Sequence, residues 1–318
     1  MDTFGTQYRL TDWGDTHGEA LEGRIEGCPA GLPVDMDSLR TDLQRRAPNG
    51  DALSTKRKET DRVEFLSGIV NGVTTSEPIC FRVPNEDVKI SEKNRFVLKP
   101  SHASYTYMCK YGLKDNELCG RSSARQTVCR VVAGNIAKQW LSQRGVTISA
   151  ETVSIATPKR EGDSVGALVE CRICGLPAGL GEPVYDKFSA RLAYAMLSIN
   201  AAKGFEYGEG FRAAGMSGSE CHDFQNPDFS FRTNHDGGIQ GGITNGQEVC
   251  FRVAFKPIPS VRYDRETVDF EGNPVVMRGS DRNDLCVAPR VLPVVEAMAA
   301  MVAMDFFVGR LPSGVREP

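Results

Sequence analysis

The sequence predicts an α+β protein in which antiparallel sheets are covered by helices. Three observations lead to this fold class. The 318 residues are 40% hydrophobic and 25% charged, which is the composition of a soluble globular protein. Two pairs of segments repeat along the chain in the same order. Each half of the chain also shows the same succession of a strand, a helix and a glycine-rich hairpin.

The repeat lies in two pairs of segments. Gly27-Cys-Pro-Ala-Gly-Leu-Pro33 matches Gly175-Leu-Pro-Ala-Gly-Leu-Gly181 at five of seven positions. Residues 67–83 align without a gap on residues 237–253, with eight of seventeen positions identical. Internal similarity of this kind indicates a duplicated structural unit. We therefore expect a single domain over residues 1–318, made of two similar halves at about residues 1–150 and 160–318.

In the first half, a strand from Leu21 to Gly27 enters the Pro-Ala-Gly-Leu turn. The following helix begins near Asp35 or Asp37, either of which can accept hydrogen bonds from the free N–H groups of the first turn. Pro48-Asn49-Gly50 is expected to end this helix. A second helix is predicted from Ser122 to Gln143 by its apolar spacing.

The second half follows the same plan, with a strand from Ala167 to Gly175. Apolar residues then recur at helical spacing from Phe188 to Ile199, and Gly204 is expected to end that helix. The polar, glycine- and aspartate-rich segments 220–236 and 262–284 are interpreted as loops over a site. The apolar stretch 291–308 contains charged residues and a proline, so it is expected to be a buried helix rather than a membrane span.

Charge and cysteine content exclude several classes of protein. The net charge of −3 argues against binding to nucleic acid or to an anionic membrane. The N-terminal residues lack the basic and apolar regions of a signal peptide. Ten scattered cysteines indicate free thiols in a reducing cytoplasm. The single Cys171-Arg-Ile-Cys174 motif has no second pair, which disfavours a zinc or redox site.

Histidines and cations are the candidates for chemistry. Three of the four histidines, His17, His102 and His235, stand in unusual loops. Each could be a structural loop residue or a proton donor and acceptor. Arg121-Ser-Ser-Ala-Arg125 opens the predicted second helix, where free N–H groups favour an anionic ligand. For Arg45 and Arg46, ligand binding and a favourable position at a helix C-terminus are equally open. These residues predict an arginine-rich anion pocket, but they do not define a reaction.

Ten motifs, in order over nearly the whole chain, resemble those of chorismate synthase. They are Gly14-Asp-Thr-His-Gly18, Gly27-Cys-Pro-Ala-Gly-Leu-Pro33, Asp42-Leu-Gln-Arg-Arg46, Pro100-Ser-His-Ala-Ser-Tyr-Thr-Tyr107, Gly120-Arg-Ser-Ser-Ala-Arg125, Gly162-Asp-Ser-Val-Gly-Ala167, Gly175-Leu-Pro-Ala-Gly-Leu-Gly-Glu-Pro183, Ser198-Ile-Asn-Ala-Ala-Lys-Gly204, Asn234-His-Asp-Gly-Gly-Ile-Gln-Gly-Gly242 and Lys256-Pro-Ile-Pro-Ser260. The resemblance implies a β-α-β sandwich with an internal duplication, a homotetramer and bound reduced FMN. The implied reaction is the trans-1,4-elimination of phosphate from 5-enolpyruvylshikimate 3-phosphate to give chorismate.

The resemblance also implies roles for individual residues. His17 would protonate the departing phosphate, and His102 would maintain the protonation state of the reduced flavin. Asp284 would act through the hydroxyl of Thr16 to help flavin N5 take the allylic proton. The positions that match substrate-binding residues are Arg46, Arg125, Arg282 and Lys99. The positions that match flavin contacts are Arg121, Ser122, Ser123, Asn200, Ala201, Gly241, Lys256, Pro257, Ile258, Pro259, Ser260 and Arg282.

Two further features follow from comparing the chain with the family pattern. Several dozen residues of that pattern are missing between Ile155 and Gly162. The source of reducing equivalents stays open, since the chain could reduce FMN with NADPH or depend on a separate flavin reductase.

The alternative function is a divergent, catalytically impaired homologue that binds flavin or a phosphoanion. The presence of His17, His102 and Asp284 together argues against that alternative, and a flavin oxidoreductase is disfavoured because the implied reaction has no net redox change.

Overall fold

Two antiparallel sheets enclose a layer of helices in the computed structural model, which describes residues 2–48, 50, 53–55, 59–88, 92–280 and 283–310. The strands of the first half are β1 (Thr3–Phe4), β2 (Arg9–Gly14), β3 (Ala20–Glu26), β4 (Glu64–Phe65), β5 (Ile69–Val70), β6 (Val73–Thr74) and β7 (Ile79–Pro84). Five of them form a sheet in the order β1-β2-β3-β7-β4, and β5 pairs with β6 in a separate hairpin.

The second sheet is built from the second half of the chain. Its strands and the adjoining hairpins are β8 (Thr147–Ile155), β9 (Ala167–Cys174), β10 (Ala202–Tyr207), β11 (Ile239–Gln240), β12 (Ile243–Thr244), β13 (Val249–Phe255), β14 (Arg265–Val268) and β15 (Pro274–Met277). The sheet order is β10-β13-β9-β8, while β11–β12 and β14–β15 are two-stranded hairpins. β8 begins at Thr147 and already lies in this sheet, so the chain passes from one sheet to the other near Gly145. The division of a single domain into halves at about 150 and 160 stays a prediction.

Five α-helices are described: α1 (Met36–Arg46), α2 (Ser104–Tyr111), α3 (Thr127–Ser142), α4 (Phe188–Leu197) and α5 (Ala288–Arg310). α5 packs on α1, α3 and α4 and on the strands β8 and β9 of the second sheet. α3 also contacts β2 and β3 of the first sheet. The helices therefore form the middle layer between the two sheets, and this arrangement confirms the predicted α+β class.

α5 is long and apolar enough to cross a bilayer by length and composition, but 78% of its most apolar window is buried inside the protein. Its two buried carboxylates have defined partners. Glu296 accepts hydrogen bonds from Arg45 and Lys138. Asp305 accepts hydrogen bonds from the backbone N–H groups of residues 6–8, just before β2, including that of Tyr8 at 2.8 Å. The predicted buried helix is confirmed, and its charged residues tie the middle layer to neighbouring segments.

The repeated motifs have the same hydrogen bonds in both halves. The hydroxyl of Thr74 donates to the carbonyl of Pro29 at 2.8 Å and accepts the N–H of the leucine in the same turn. The hydroxyl of Thr244 donates to the carbonyl of Pro177 at 2.7 Å and also accepts the N–H of the corresponding leucine. Each half thus fixes its Pro-Ala-Gly-Leu turn to its small hairpin through one threonine, as expected for an internal duplication.

Several predicted boundaries are wrong. The helix predicted from Ser122 begins at Thr127 instead, because Ser123 has an extended backbone that separates two short 3-10 stretches, Asn116–Ser122 and Ala124–Gln126. Gly204 does not end a helix: α4 stops at Leu197, and Gly204 lies in β10.

The segment 262–284 is also not all loop, because it contains the β14–β15 hairpin, whose β-branched residues flank a tight turn. The helix α2 was not predicted. The strand β3, the Asp35 cap and β9 agree with the prediction to within about a residue. Asn49, part of the predicted stop of α1, lies outside the described residues.

The approach of α3 to α5 yields a test of the middle layer. A Cβ atom on Gly134 would lie 2.2 Å from Cβ and 2.3 Å from Cα of Ala297. Gly134→Ala adds helix propensity of about 1 kcal/mol, but it forces two packed helices apart, and overpacking costs about 1–3 kcal/mol or more. We expect a net loss of stability of about 2 kcal/mol, measured by denaturant unfolding. Gly309→Ala in α5 is the control, because its added Cβ would meet only the flexible Gln7 side chain at 3.2 Å. Equal stability of the two variants would contradict the close packing of α3 and α5.

Candidate active site

A carboxylate between two arginines lies at the centre of the candidate site. Asp61 accepts a hydrogen bond from Nε of Arg46 at 2.7 Å and forms a second, short ion pair with Nη1 of Arg125. Arg46 comes from the last turn of α1 and Arg125 from the 3-10 stretch before α3. All three side chains are at most 3% exposed. Two predicted substrate-binding arginines are therefore brought together, and a residue not predicted to be functional joins them.

The charges in this triad stabilise one another. Burial alone would raise the pKa of Asp61, but the guanidinium groups of Arg46 and Arg125 outweigh it and hold that pKa below its usual range. Burial lowers the pKa of Arg46 to about 10, against the opposing effect of Asp61.

Asp61 also has a positive φ of 53°, a conformation that non-glycine residues rarely adopt. The backbone is thus held in an unusual conformation at the point where the carboxylate meets both arginines.

A second ion pair connects Asp284 to the triad. Arg290, near the start of α5, donates from Nη1 to both oxygens of Asp284 at 2.9 and 2.7 Å, and its Nε donates to the backbone carbonyl of Arg46 at 2.8 Å. The N–H of Thr55 donates to the same carboxylate at 2.7 Å. The predicted catalytic Asp284 therefore lies beside the predicted substrate-binding Arg46. Arg282 lies outside the described residues.

Asn85 links the arginine cluster to the turn that carries His17. Its amide oxygen accepts a hydrogen bond from Nε of Arg125 at 2.9 Å. Its amide nitrogen donates to the carbonyls of Asp15 and Gly18 at 2.9 and 2.8 Å. The turn is also closed internally, because the carboxylate of Asp15 accepts the N–H of His17 at 2.8 Å. Two predicted functional residues, Arg125 and His17, are consequently held in a fixed relation by one side chain.

His17 faces a glutamate across the site. Glu117 lies in the 3-10 stretch Asn116–Ser122. Its Oε2 atom is 3.0 Å from Nδ1 of His17. Both atoms are buried, and neither has a hydrogen-bond partner among the described residues. The distance between them is short enough for a hydrogen bond, but the two groups are not aligned for one. Thr16, the neighbouring predicted catalytic residue, is 6% exposed.

His102 has cationic neighbours instead. Burial, and after it the positive charges of Lys99 and Lys256, lower the pKa of His102 to about 4. Its Nδ1 atom is buried without a hydrogen-bond partner in the part of the chain described. Lys256 comes from the second half of the chain, and its ammonium group donates to the carbonyl of Ser101 at 2.7 Å. His102 is thus a neutral base at physiological pH, held where the two halves meet.

Several predicted flavin contacts are linked to Lys256, whose ammonium group contacts Ser101 next to His102. The side chain of Asn200 donates to the carbonyl of Ser122 at 2.9 Å. Ala201 has a positive φ of 68°, and its carbonyl accepts the N–H of Lys256 at 2.9 Å. The segment after Lys256 is held by hydrogen bonds to two of its backbone carbonyls. The hydroxyl of Ser164 donates to the carbonyl of Ile258 at 2.6 Å, and Nη1 of Arg265 donates to the carbonyl of Pro259 at 2.8 Å. Pro257 and Ser260 belong to the same segment.

Two predicted flavin contacts lie elsewhere. Arg121 donates to Asp2 and Asp12 at 2.8 and 3.0 Å and borders a cavity of 190 Å³ with Arg130. Gly241 lies in the β11–β12 turn, next to the start of α4, whereas Asn200 follows the end of that helix. Arg121 and Arg125 therefore pair with different carboxylates, and the helix begins at Thr127 rather than at Ser122; an anion site formed by these two arginines stays a prediction. Ser123 uses its hydroxyl to accept the N–H of Arg125.

The sequence did not single out four residues of the network: Asp61, Asn85, Glu117 and Arg290. Each acts through a contact between distant parts of the chain, such as the 64 positions between Asp61 and Arg125. The motifs quoted from the sequence carry the histidines and arginines, whereas these four partners stand in polar segments without such a motif. A larger cavity of 560 Å³ borders residues 66–70 and 75–80, away from this network.

Asp61 gives a stability test of the triad. Asp61→Asn removes the carboxylate that the two buried guanidinium groups share, and breaking a buried pair in this way costs about 3–5 kcal/mol. Because the folded-state pKa of Asp61 lies below the unfolded value of about 3.9, its contribution is present above about pH 4 and is lost as the pH falls further. Denaturant unfolding at pH 7 and pH 3 measures both effects. Asp186→Asn is the control, since Asp186 is exposed and lies 3.9 Å from Arg191. A loss no larger than that of the control would contradict the triad.

His102 gives a titration test. We expect NMR titration to place its midpoint near pH 4. Lys256→Met should raise this midpoint, because one nearby positive charge is removed. Lys110→Met, at an exposed position of α2, should leave it unchanged. A midpoint near the unperturbed value of about 6.5 in all three proteins would show that His102 is not enclosed as described.

Known proteins match this chain over nearly its whole length. The family model "Chorismate synthase" matches residues 8–160 and 154–308. The chorismate synthases of Christiangramia forsetii and Bacteroides fragilis are 45% and 44% identical to this chain, covering 96% and 97% of it and 97% and 98% of themselves. A solved structure, "Crystal Structure of Chorismate Synthase", matches with a TM-score of 0.76 and 27% identity over 97% of this chain and 93% of that chain.

These matches confirm the resemblance seen in the motifs and the fold class. The first alignment spans 346 positions, more than the 318 residues of this chain, so the relative carries residues without a counterpart here. The two ranges matched by the family model meet at residues 154–160, where the sequence predicted missing family residues. Both the length of the match and its agreement with the site motifs lead to one conclusion. The chain belongs to the chorismate synthase family.

Proposed function

We propose that the chain catalyses the trans-1,4-elimination of phosphate from 5-enolpyruvylshikimate 3-phosphate, with reduced FMN bound, to give chorismate. Family membership makes it a carbon–oxygen lyase, and an impaired binding homologue is not favoured. The observation that carries the proposal is the Asn85 bridge, which fixes Arg125 relative to the turn of His17. An anion-binding group and a proton donor are thereby held at one place, as an elimination of phosphate requires.

Reduced FMN fits the region around His102. A buried, unpartnered Nδ1 atom and the cation of Lys256 offer polar groups to a ligand. Asn200, Ala201 and the segment 256–260 would hold the flavin. When bound, reduced FMN supplies electron density to the allylic system as the phosphate departs. His102, neutral because of its lowered pKa, would hold a proton at the edge of the flavin, and the lysines would offset anionic charge.

The proton donor for the departing phosphate is His17 in this proposal. Its Nδ1 is buried against Glu117, whereas the imidazole as a whole is 23% exposed, so the ring has an accessible edge for substrate. Asp284, paired with Arg290, would act with Thr16 to move the allylic proton. In this proposal the chain supplies the position of the substrate and the groups that transfer protons.

The arginines bind substrate in this proposal while remaining partly paired with the protein. The substrate carries a phosphate and two carboxylates, for which guanidinium groups are well suited. Arg125 has a short contact with Asp61, but its Nη2 lies 3.6 Å from Glu59, which is its longest ion pair. We propose that a substrate anion replaces Glu59 rather than Asp61. Arg46, on the other side of Asp61, would contribute positive charge. Lys99 and Arg282 would be the remaining substrate-binding cations.

A homotetramer, a cytoplasmic location and a supply of reduced flavin from NADPH or a separate reductase are also part of the proposal. They rest on family membership. Light scattering tests the tetramer directly, because a mass four times 34.8 kDa is expected. Added NADPH without any reductase tests whether the chain reduces FMN itself.

The decisive experiment is anaerobic. Purified protein, photoreduced FMN and the enolpyruvyl substrate should yield equal amounts of phosphate and chorismate, whereas oxidised FMN without reductant should yield neither. Equal turnover with oxidised FMN in air would contradict the proposed dependence on reduced flavin. Binding of both ligands without phosphate release would favour the alternative of an impaired homologue.

Replacement of the histidines tests their roles as proton donor and acceptor. His17→Ala and His102→Ala should each slow turnover by about 10²–10⁴-fold, the usual contribution of general acid–base groups. His222→Ala is the control, because His222 is exposed in the segment 220–236. Steady-state kinetics with photoreduced FMN measures the effect, and circular dichroism checks the fold. Wild-type rates in both variants would show that neither histidine takes part in the chemistry.

A further inference from the structure

Glu117 meets His17 in a way that the proposed reaction does not by itself explain. Oε2 of Glu117 and Nδ1 of His17 are 3.0 Å apart, and both atoms are buried. Neither has a hydrogen-bond partner among the described residues, because the two groups are within reach of each other but are not aligned as a hydrogen bond. A buried polar atom without a partner is costly, so each atom has the other as its available partner.

The backbone around Glu117 is held firmly, so its carboxylate has a defined position. Its own N–H donates to the carboxylate of Asp115 at 2.9 Å, and Asp115 is in turn paired with Arg95. The neighbouring Asn116 donates to the carbonyls of Asn94 and Val97 at 2.9 and 2.7 Å. The 3-10 stretch therefore presents the glutamate from a fixed element.

The His17 side of the pair is equally constrained. Asp15 accepts the N–H groups of His17 and Gly18, and its side chain packs on Gly120, where a Cβ would lie 2.7 Å from Cγ of Asp15. The turn and the 3-10 stretch thus approach each other too closely to admit a side chain at position 120. This contact brings the imidazole to the carboxylate.

From this geometry we infer that Glu117 is a positioning residue that fixes the tautomer of His17. A carboxylate can only accept, so it keeps one proton on Nδ1. When the imidazole is protonated, the second proton is on Nε2, and its transfer to the departing phosphate leaves the neutral Nδ1–H tautomer. Nδ1 is buried while the side chain is 23% exposed, so the accessible edge of the ring lies away from Glu117. The inference rests on the proposed function, in which His17 donates a proton to the departing phosphate.

Two variants of similar size separate the acceptor from the volume of the side chain. Glu117→Gln keeps an oxygen that can accept the Nδ1 proton, whereas Glu117→Met fills the space without one. Glu151→Met, at an exposed position of β8, is the control. The full-length protein is labelled with ¹⁵N-histidine, and its four histidines allow the His17 signals to be assigned by their loss in His17→Gln.

NMR of the ring nitrogens reads the tautomer at a pH where His17 is neutral. The wild type, Glu117→Gln and Glu151→Met should show Nδ1–H, and Glu117→Met should shift towards Nε2–H. In anaerobic assays, Glu117→Met should lower kcat by about 10–10²-fold with little change in KM, and Glu117→Gln should recover most of that rate.

The inference is overturned if the His17 tautomer is the same in the wild type and in Glu117→Met. It is equally overturned if Glu117→Gln and Glu117→Met lose the same amount of kcat. Should the wild type release no phosphate at all, the proposed function fails, yet the tautomer measurement still decides the role of Glu117. The two failures are therefore distinguishable.

Discussion

The carboxylate of Asp61 is the interaction on which the candidate site depends. Two guanidinium groups in a region that is almost free of water would destabilise the fold unless a counter-charge lay between them. Asp61 supplies it at 2.7 Å from Arg46 and in a shorter pair with Arg125. These arginines come from α1 and from the stretch before α3, so one ion pair network joins both elements. Arg290 of α5 extends it through the carbonyl of Arg46.

The middle layer gives this network its rigidity. α3 and α5 approach so closely that only glycine fits at position 134, and both sheets pack on these helices. Early and late parts of the chain contribute different parts of the site to this common frame. The first half carries His17, Asp61 and His102, and the second half brings Lys256 to the carbonyl of Ser101. The two histidines have opposite electrostatic surroundings. The carboxylate of Glu117 lies beside His17, whereas the cations Lys99 and Lys256 lie near His102.

The sequence predicted features that depend on local chemistry and on repetition. The repeated Pro-Ala-Gly-Leu turns, the cap at Asp35 and the burial of α5 are examples, because short-range pattern determines each of them. The partners of the functional residues could not be found in this way. Glu117 is 100 positions from His17, and Asp61 has no neighbour in sequence that marks it as a counter-ion. Ser123 could equally have continued a helix, and only its extended backbone moves the start of α3 to Thr127.

A crystal structure of the chain with oxidised FMN and the enolpyruvyl substrate is the most direct test of the proposed site. We expect the substrate phosphate within hydrogen-bond distance of Nε2 of His17 and a substrate anion at Nη2 of Arg125. The flavin should lie beside His102, Asn200 and Lys256, with Asp61 still between the two arginines. Ligands bound elsewhere, for example in the cavity along residues 66–70, with His17 and His102 left in solvent, would contradict it.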